Sequence, residues 1–220
     1  MTKRLNEIFR EIISSNLICD VGCDHGYIAC RILKESKAKK VVATDISQKC
    51  LDKAKKLIQE NDLQDRAEFC CVDGIPLGYD FDQIVIAGMG GLEIVKILER
   101  FLSEESKARF VLQPMRDERL VREFLNKNGY KLIVDRIFKD NKLYRLIVAE
   151  KGKQILSEKQ KEFGALKEEY KFKDFLEWLE LKQEKSLKIM EKIEKNSEKY
   201  KNLEKIIKNI EEIKGEMGKC

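Results

Sequence analysis

The run Asp20-Val21-Gly22-Cys23-Asp24-His25-Gly26-Tyr27 follows a short apolar stretch containing Leu17 and Ile18. It has the pattern of a strand breaking into a helix through a glycine-punctuated turn, the place where α/β proteins hold nucleotide-like cofactors. Gly22 can take backbone angles closed to other residues and lets the chain approach a ligand with no Cβ in the way, while the helix that follows offers unpaired N–H groups. The dinucleotide fingerprint G-x-G-x-x-G is not met, because Asp24 stands at its middle glycine. A carboxylate there suits a cationic ligand better than a pyrophosphate.

Two further acids stand at the ends of later apolar runs. Val41-Val42-Ala43-Thr44 ends in Asp45, placed like the acid that binds ribose hydroxyls in either a dinucleotide or an S-adenosylmethionine site. The stretch from Arg66 to Val72 ends in Asp73-Gly74, where a side chain can reach an adenine amino group. Any one of these acids is explained as well by helix capping or turn formation. The series Asp20/Asp24, Asp45, Asp73 taken together favours the methyl donor, since a dehydrogenase has no need of the third acid.

These residues need a frame of alternating strands and helices, and residues 1–150 supply one. Helix signals cover 3–14, 26–35, 47–60 (capped near Ser47), 91–101 and 117–127; strand signals cover 16–21, 40–45, 66–72, 82–87 and 110–113, the last stopped by Pro114. Two more strands, 130–138 and 142–150, are joined at Asp140-Asn141. Five parallel units closed by an antiparallel pair make a seven-stranded, mostly parallel Rossmann-like sheet, the class I methyltransferase architecture. The expected division is a cofactor domain over 1–152 and a helical extension over 153–220. In the extension Phe172, Phe175, Leu176, Leu179, Leu187, Met190 and Ile193, then Tyr200, Leu203, Ile206, Ile207, Ile210 and Ile213, recur at helical spacing. Asn196-Ser197 between the two series predicts an antiparallel, coiled-coil-like hairpin, with Trp178 a packing residue.

Composition narrows the setting. The chain has 220 residues with 43% hydrophobic side chains, no apolar run near the roughly 20 residues of a membrane span, and no apolar stretch of a signal peptide at its start. A soluble, cytoplasmic protein is expected. Seven cysteines without a C-x-x-C and a single histidine predict reduced, mostly buried thiols and no metal site. Net charge is +5, with 18 basic residues against 15 acidic ones over 151–220, and all 18 are lysine. Such a surface is compatible with nucleic acid and also with an ordinary solvated helix face.

With these motifs in order, the chain resembles the bacterial tRNA adenine N1-methyltransferases of the TrmK family. The resemblance spans nearly the whole chain. It rests on Asp20 to Tyr27, on Ile86-Ala-Gly-Met-Gly-Gly91, on Leu112-Gln-Pro114 and on Tyr144-Arg-Leu-Ile-Val-Ala-Glu150. The segment Ala87 to Gly91 is the specific one, replacing the Asn/Asp-Pro-Pro-Tyr loop of many amino-group methyltransferases. Two positions depart from the family pattern: Met115 stands where Asn commonly follows Gln-Pro, and Val72 where Gly commonly precedes Asp-Gly. The resemblance implies S-adenosylmethionine as cofactor, tRNA as partner, adenine 22 in the D-arm region as target, and a helical C-terminal extension.

The residues so nominated as cofactor contacts are Asp20, Gly22, Cys23, Asp24, Asp45, Ile46, Asp73, Gly74 and Gly88. An acceptor pocket is expected from Gly88, Met89, Gly90, Gln113 and Pro114. Asp24, His25 and Tyr27 are the candidates to line the reacting centre. Adenine N1 already has a lone pair, so proximity and alignment can supply most of the acceleration without a strong base. A monomer is expected. The residues alone leave open a methyltransferase with another acceptor, a nicotinamide dehydrogenase and a non-catalytic RNA-binding adaptor.

Overall fold

The protein is described by a computed structural model over residues 2–102, 106–164 and 173–217. Helix α1 (Lys3–Arg10) is capped by Thr2, whose hydroxyl accepts from the Leu5 N–H. Strand β1 (Ser15–Val21) leads to α2 (Tyr27–Lys34), β2 (Ala38–Asp45) to α3 (Gln48–Gln59), and β3 (Ala67–Cys71) completes the first half. Then come β4 (Gln83–Met89), α4 (Gly91–Phe101), β5 (Arg109–Pro114), α5 (Glu118–Lys127), β6 (Tyr130–Lys139) and β7 (Leu143–Lys151). The strands order β3-β2-β1-β4-β5-β7-β6. The first five are parallel and β7 inserts antiparallel between β5 and β6.

The seven expected strands and their helices are therefore present, with small shifts that have local causes. Strand β3 starts one residue late because Gln64–Arg66 form a 3-10 turn, anchored by the Arg66 guanidinium on the carbonyls of Leu33, Ala38 and Lys39. Helix α1 stops at Arg10 rather than 14. The Gln83 side chain binds both the N–H and the carbonyl of Ile13, which holds that backbone out of a helix and turns it into β1. Ser47 caps α3 as expected, its hydroxyl accepting from Cys50 N–H.

The strand interiors are continuously apolar, as parallel strands covered on both faces must be. One face of the sheet buries Ile18, Val41, Ala43, Val85 and Val111 with α1, α2 and α3; the other buries Cys19, Val42, Ile84, Ile86 and Leu112 with α4 and α5. Of the thiols, Cys19, Cys23 and Cys30 are buried, Cys50 and Cys70 are half-buried and Cys71 is exposed; all six are free.

Beyond β7 the expected two-helix pattern is interrupted. A short α6 (Glu158–Phe163) with a Ser157/Gln160 capping box ends at Gly164, whose φ of 126° no helix accepts. Then α7 (Lys173–Met190) and α8 (Glu198–Met217) fold back on each other, and Lys214 near the end of α8 reaches Gln183 of α7. Ile193 falls in the connection, while Phe172 of the stripe and Cys220 lie outside the described residues. The hairpin docks on the edge strand β6: Ile137 joins Phe163, Phe175, Leu179, Ile210 and Ile213 in one apolar cluster. Trp178 packs edge-on against Phe163 and flat against Phe175, so it is a packing residue. Among the described residues no helix is long and apolar enough to cross a membrane, and no cluster of three or more His, Cys, Asp or Glu side chains has metal-binding spacing.

Candidate cofactor and acceptor site

The strand order reverses between β1 and β4, and a cavity of about 450 Å³ opens at the carboxyl ends of the strands there. This is the crevice where open α/β sheets take ligands, and the volume is ordinary for a small-molecule pocket. The turn after β1 forms as its glycines require. Gly22 has φ 67° and a Cβ on it would collide with the Met89 side chain, while Gly26, with φ 69°, leaves a built Cβ only 2.7 Å from that of Ala54. Asp24 also adopts a left-handed φ of 47°.

Hydrogen bonds stitch the loops into one floor. Cys23 N–H donates to the Thr44 carbonyl (2.9 Å), and the Thr44 hydroxyl donates to the Gly74 carbonyl (2.8 Å). The Asp45 carboxylate accepts from Asp24 N–H (3.2 Å) and Ser47 N–H (2.8 Å), which fixes its position at the end of β2. Asp20 is 3% exposed, and its carboxylate accepts from Ala29 N–H at 3.1 Å. Burial pushes its pKa up to about 7, with the Ala29 hydrogen bond opposing and the Asp45 charge adding to the rise. Burial likewise raises the Cys23 thiol, which keeps it protonated and unreactive.

Asp20, Gly22, Cys23, Asp24, His25, Tyr27, Asp45, Ile46, Asp73, Gly74, Gly88 and Met89 all line this cavity, so every nominated cofactor contact and all three candidates for the reacting centre fall together. Asp73 is not free: its carboxylate pairs with Arg100 at 2.7 Å, and that hydrogen bond lowers its pKa. The rings of His25 and Tyr27 stack, 5.6 Å apart and 7° from parallel, with Tyr27 53% exposed at the mouth. Gly90, Gln113 and Pro114 are not in the lining. Gln113 and Pro114 are buried behind it. The loops after β4 and β5 are zipped by Met115 N–H to the Met89 carbonyl and Gly91 N–H to the Arg116 carbonyl. A Cβ at Gly91 would strike the Asp117 backbone, which makes that glycine structural, whereas one at Gly90 would meet only the Arg116 side chain, at 3.3 Å.

Eight residues of the lining were not nominated from the sequence: Val21, Ile28, Val72 and Ala87 adjoin nominated positions, whereas Arg4, Leu5, Glu93 and Ile97 do not. Arg4 and Leu5 come from α1, and Glu93 and Ile97 from α4. None of these four carries a local signal. Arg4 sits in an ordinary amphipathic helix and reaches the site only through the packing of α1.

A family model described as TrmK, tRNA (adenine(22)-N(1))-methyltransferase, matches residues 18–215. The chain belongs to this family. The TrmK reaction, methyl transfer from S-adenosylmethionine to N1 of adenine 22 in tRNA, is accordingly its reaction. It is 33% identical to the tRNA (adenine(22)-N(1))-methyltransferase of Bacillus subtilis over 156 residues, which is 69% of this chain and 66% of that one. Its fold superposes on a putative tRNA (m1A22) methyltransferase of Streptococcus pneumoniae with a TM-score of 0.89 at 27% identity, covering 97% of this chain and 99% of that one. It is also similar to Mycoplasma capricolum TrmK in complex with S-adenosylhomocysteine, with a TM-score of 0.88 at 24% identity over 97% and 98% of the two chains. The site fits such a cofactor: a glycine-cleared floor for the nucleoside, a fixed acid at the end of β2 and a buried acid for a cationic group.

Proposed function

We infer that this chain performs the TrmK reaction with its cofactor in the cavity below β1, β2 and β4 and with the target adenine entering over Gly88 to Gly90. The observation that carries this reading is Asp45, a strand-end carboxylate held by two backbone N–H groups and facing the same cavity as the buried Asp20. Asp45 holds the ribose hydroxyls, since a fixed carboxylate is the acceptor two vicinal hydroxyls need. Asp20 meets the cationic end of the methionine moiety. Ile46, 74% exposed, offers an apolar face to the adenine ring, and Asp73, shared with Arg100, accepts from its amino group.

Bound S-adenosylmethionine supplies an electrophilic methyl group. The protein has to align the acceptor and tolerate the charge it gains. Gly88 and Gly90 leave room beside the reacting centre, and the stacked His25 and Tyr27 rings give an extruded base an apolar platform at the mouth. Asp24, whose side chain is 66% exposed there, offsets the positive charge that N1 acquires. The N1 lone pair is available without deprotonation, so neither a general base nor a metal is required. The lysines of α7 and α8 face phosphates of the tRNA beyond the D-arm, and the enzyme works as a cytoplasmic monomer.

Purified protein, labelled cofactor and two tRNA transcripts differing only at position 22 test this reading. Adenine at 22 should acquire the label as N1-methyladenosine, and a guanine at 22 should abolish incorporation. Equal labelling of both transcripts would show that the acceptor lies elsewhere.

A further inference from the structure

The charged lining of the cavity is lopsided. Asp20, Asp24, Asp45, Asp73 and Glu93 supply five carboxylates, and Arg4 is the one arginine or lysine among the lining residues. In such surroundings an arginine would ordinarily be drawn into an ion pair. Arg4 is not: its guanidinium makes a single hydrogen bond, to a neutral amide, and among the described residues it has no carboxylate partner.

The side chain is nevertheless held in place. Its Nη1 donates to Gln113 Oε1 at 2.9 Å, and its guanidinium carbon lies 5.9 Å from the centre of the Tyr144 ring. Gln113 is buried, and its Nε2 donates to the Pro114 carbonyl at 3.0 Å, which turns Oε1 toward Arg4. The Arg4 backbone N–H donates to Asp140 Oδ2 at 2.9 Å, tying α1 to the β6–β7 turn. Gly88 completes the arrangement. It has φ 86°, and a Cβ there would stand 3.3 Å from Arg4 Nη1. A guanidinium has five N–H donors in a rigid fork, so Arg4 keeps most of its donors for a ligand.

The cofactor carries one anionic group, the α-carboxylate of its methionine moiety, beside an α-ammonium and a sulfonium. Carboxylates are abundant in the lining for the two cations, and the anion has one fixed counterpart. Resting on the assignment of this cavity to the cofactor, we propose that Arg4 receives the α-carboxylate of S-adenosylmethionine in its guanidinium fork, with Gln113 and Gly88 holding and clearing that fork. This makes α1 part of the cofactor site and gives the buried Gln113 amide a positioning role.

The test compares S-adenosylhomocysteine, which carries the amino-acid moiety, with 5′-methylthioadenosine, which lacks it, by calorimetric titration of the full-length protein. The readout is the ratio of the two dissociation constants, because partial unfolding weakens both ligands by the same factor and leaves the ratio unchanged. Arg4→Gln should weaken S-adenosylhomocysteine by about 10- to 100-fold, the range for losing hydrogen bonds between charged partners, and leave 5′-methylthioadenosine within about twofold. Arg4→Lys, which keeps the charge without the fork, should retain an intermediate ratio. A wild-type ratio in Arg4→Gln overturns the proposal. If tRNA affinity falls instead in that variant, the fork serves an RNA phosphate. Failure of the wild-type protein to bind either ligand would overturn the cofactor assignment of the cavity, a result distinct from an unchanged ratio.

Discussion

Two clusters of charged side chains in this molecule have opposite balance and opposite fates. The cavity sets five carboxylates against one guanidinium, and the side chains of Asp24 and Asp73 are 66% and 65% exposed. Beneath the helical extension, Asp135 of β6 lies between Arg122 of α5 and Arg145 of β7, and all three side chains are fully buried. Arg122 takes both carboxylate oxygens, at 2.7 and 3.1 Å, and Arg145 takes one at 3.2 Å. The surplus positive charge is absorbed internally. Arg122 donates to the Lys161 carbonyl, Arg145 donates to the Phe163 carbonyl, and Arg145 lies 4.6 Å from the centre of the Trp178 ring. A surplus that carbonyl dipoles and aromatic faces satisfy is a fastening, here of α6 and α7 to the sheet. A surplus left facing an open cavity is the complement of a ligand, and its sign says the ligand is mostly cationic.

The largest expected effect comes from breaking the fastening. Asp135→Ala leaves two buried guanidinium groups without their carboxylate and should cost about 3–5 kcal/mol of stability, the range for removing one partner of a buried pair. The urea midpoint should fall, while the fraction still folded binds S-adenosylhomocysteine as the wild type does. A variant of normal stability that has lost ligand affinity would erase the distinction between the two clusters.

The mirror-image change is Asp45→Asn, which removes charge from the cavity and keeps an acceptor oxygen for one of the two N–H groups, since Ser47 N–H donates to Oδ1 and Asp24 N–H to Oδ2. S-adenosylhomocysteine affinity should fall by roughly 1.5–3 kcal/mol, the range for hydrogen bonds to a charged group, with the melting temperature lowered only by the loss of one loop hydrogen bond. Calorimetric affinity equal to wild type would remove Asp45 from the ribose contact.

The two clusters also differ in how far the sequence reveals them. Asp20, Gly22, Asp24, Asp45 and Asp73 were legible because each sits in a local pattern, an apolar strand followed by a turn, whose geometry is set within a few residues. The sheet was legible for the same reason, since unbroken apolar runs mark parallel strands. Arg4 was not: its contact with Gln113 spans 109 residues, and a basic residue in the first turn of an amphipathic helix is ordinary. The Arg122, Asp135 and Arg145 cluster was equally silent, because Arg122 stands beside Glu123, Asp135 beside Arg136 and Arg145 between Tyr144 and Leu146, settings ordinary for a surface charge. Only the insertion of β7 between β5 and β6 and the docking of α6 and α7 bury them. The break at Gly164 was hidden by continuous charge patterning on both sides.

The smallest expected effect, and the sharpest probe of the open cluster, is a pH dependence. Asp20 has a folded pKa of about 7, raised by burial from a normal value of 3.8. In the absence of ligand, the folded chain holds a proton here that the unfolded chain has already lost between those two values. This group therefore lowers stability progressively as pH rises from about 4 to 7, and contributes no further slope above that. A cationic ligand reverses the preference by favouring the ionised carboxylate. Binding near pH 6 must therefore release a proton, and affinity should weaken about tenfold between pH 8 and pH 6, one decade per unit below a pKa of about 7. Titrations at pH 6 in two buffers of different ionisation enthalpy should report close to one proton released per S-adenosylmethionine bound. His25 lines the same cavity, 3.7 Å from Asp24 and 3.5 Å from Lys53 Nζ, and the Asp45 charge acts on Asp20. Asp20→Asn leaves both in place, so the difference between the two pH profiles belongs to Asp20. The variant should bind more weakly at pH 8 and show a nearly flat profile; a variant profile as steep as that of the wild type would mean that the buried acid does not face the ligand's positive charge.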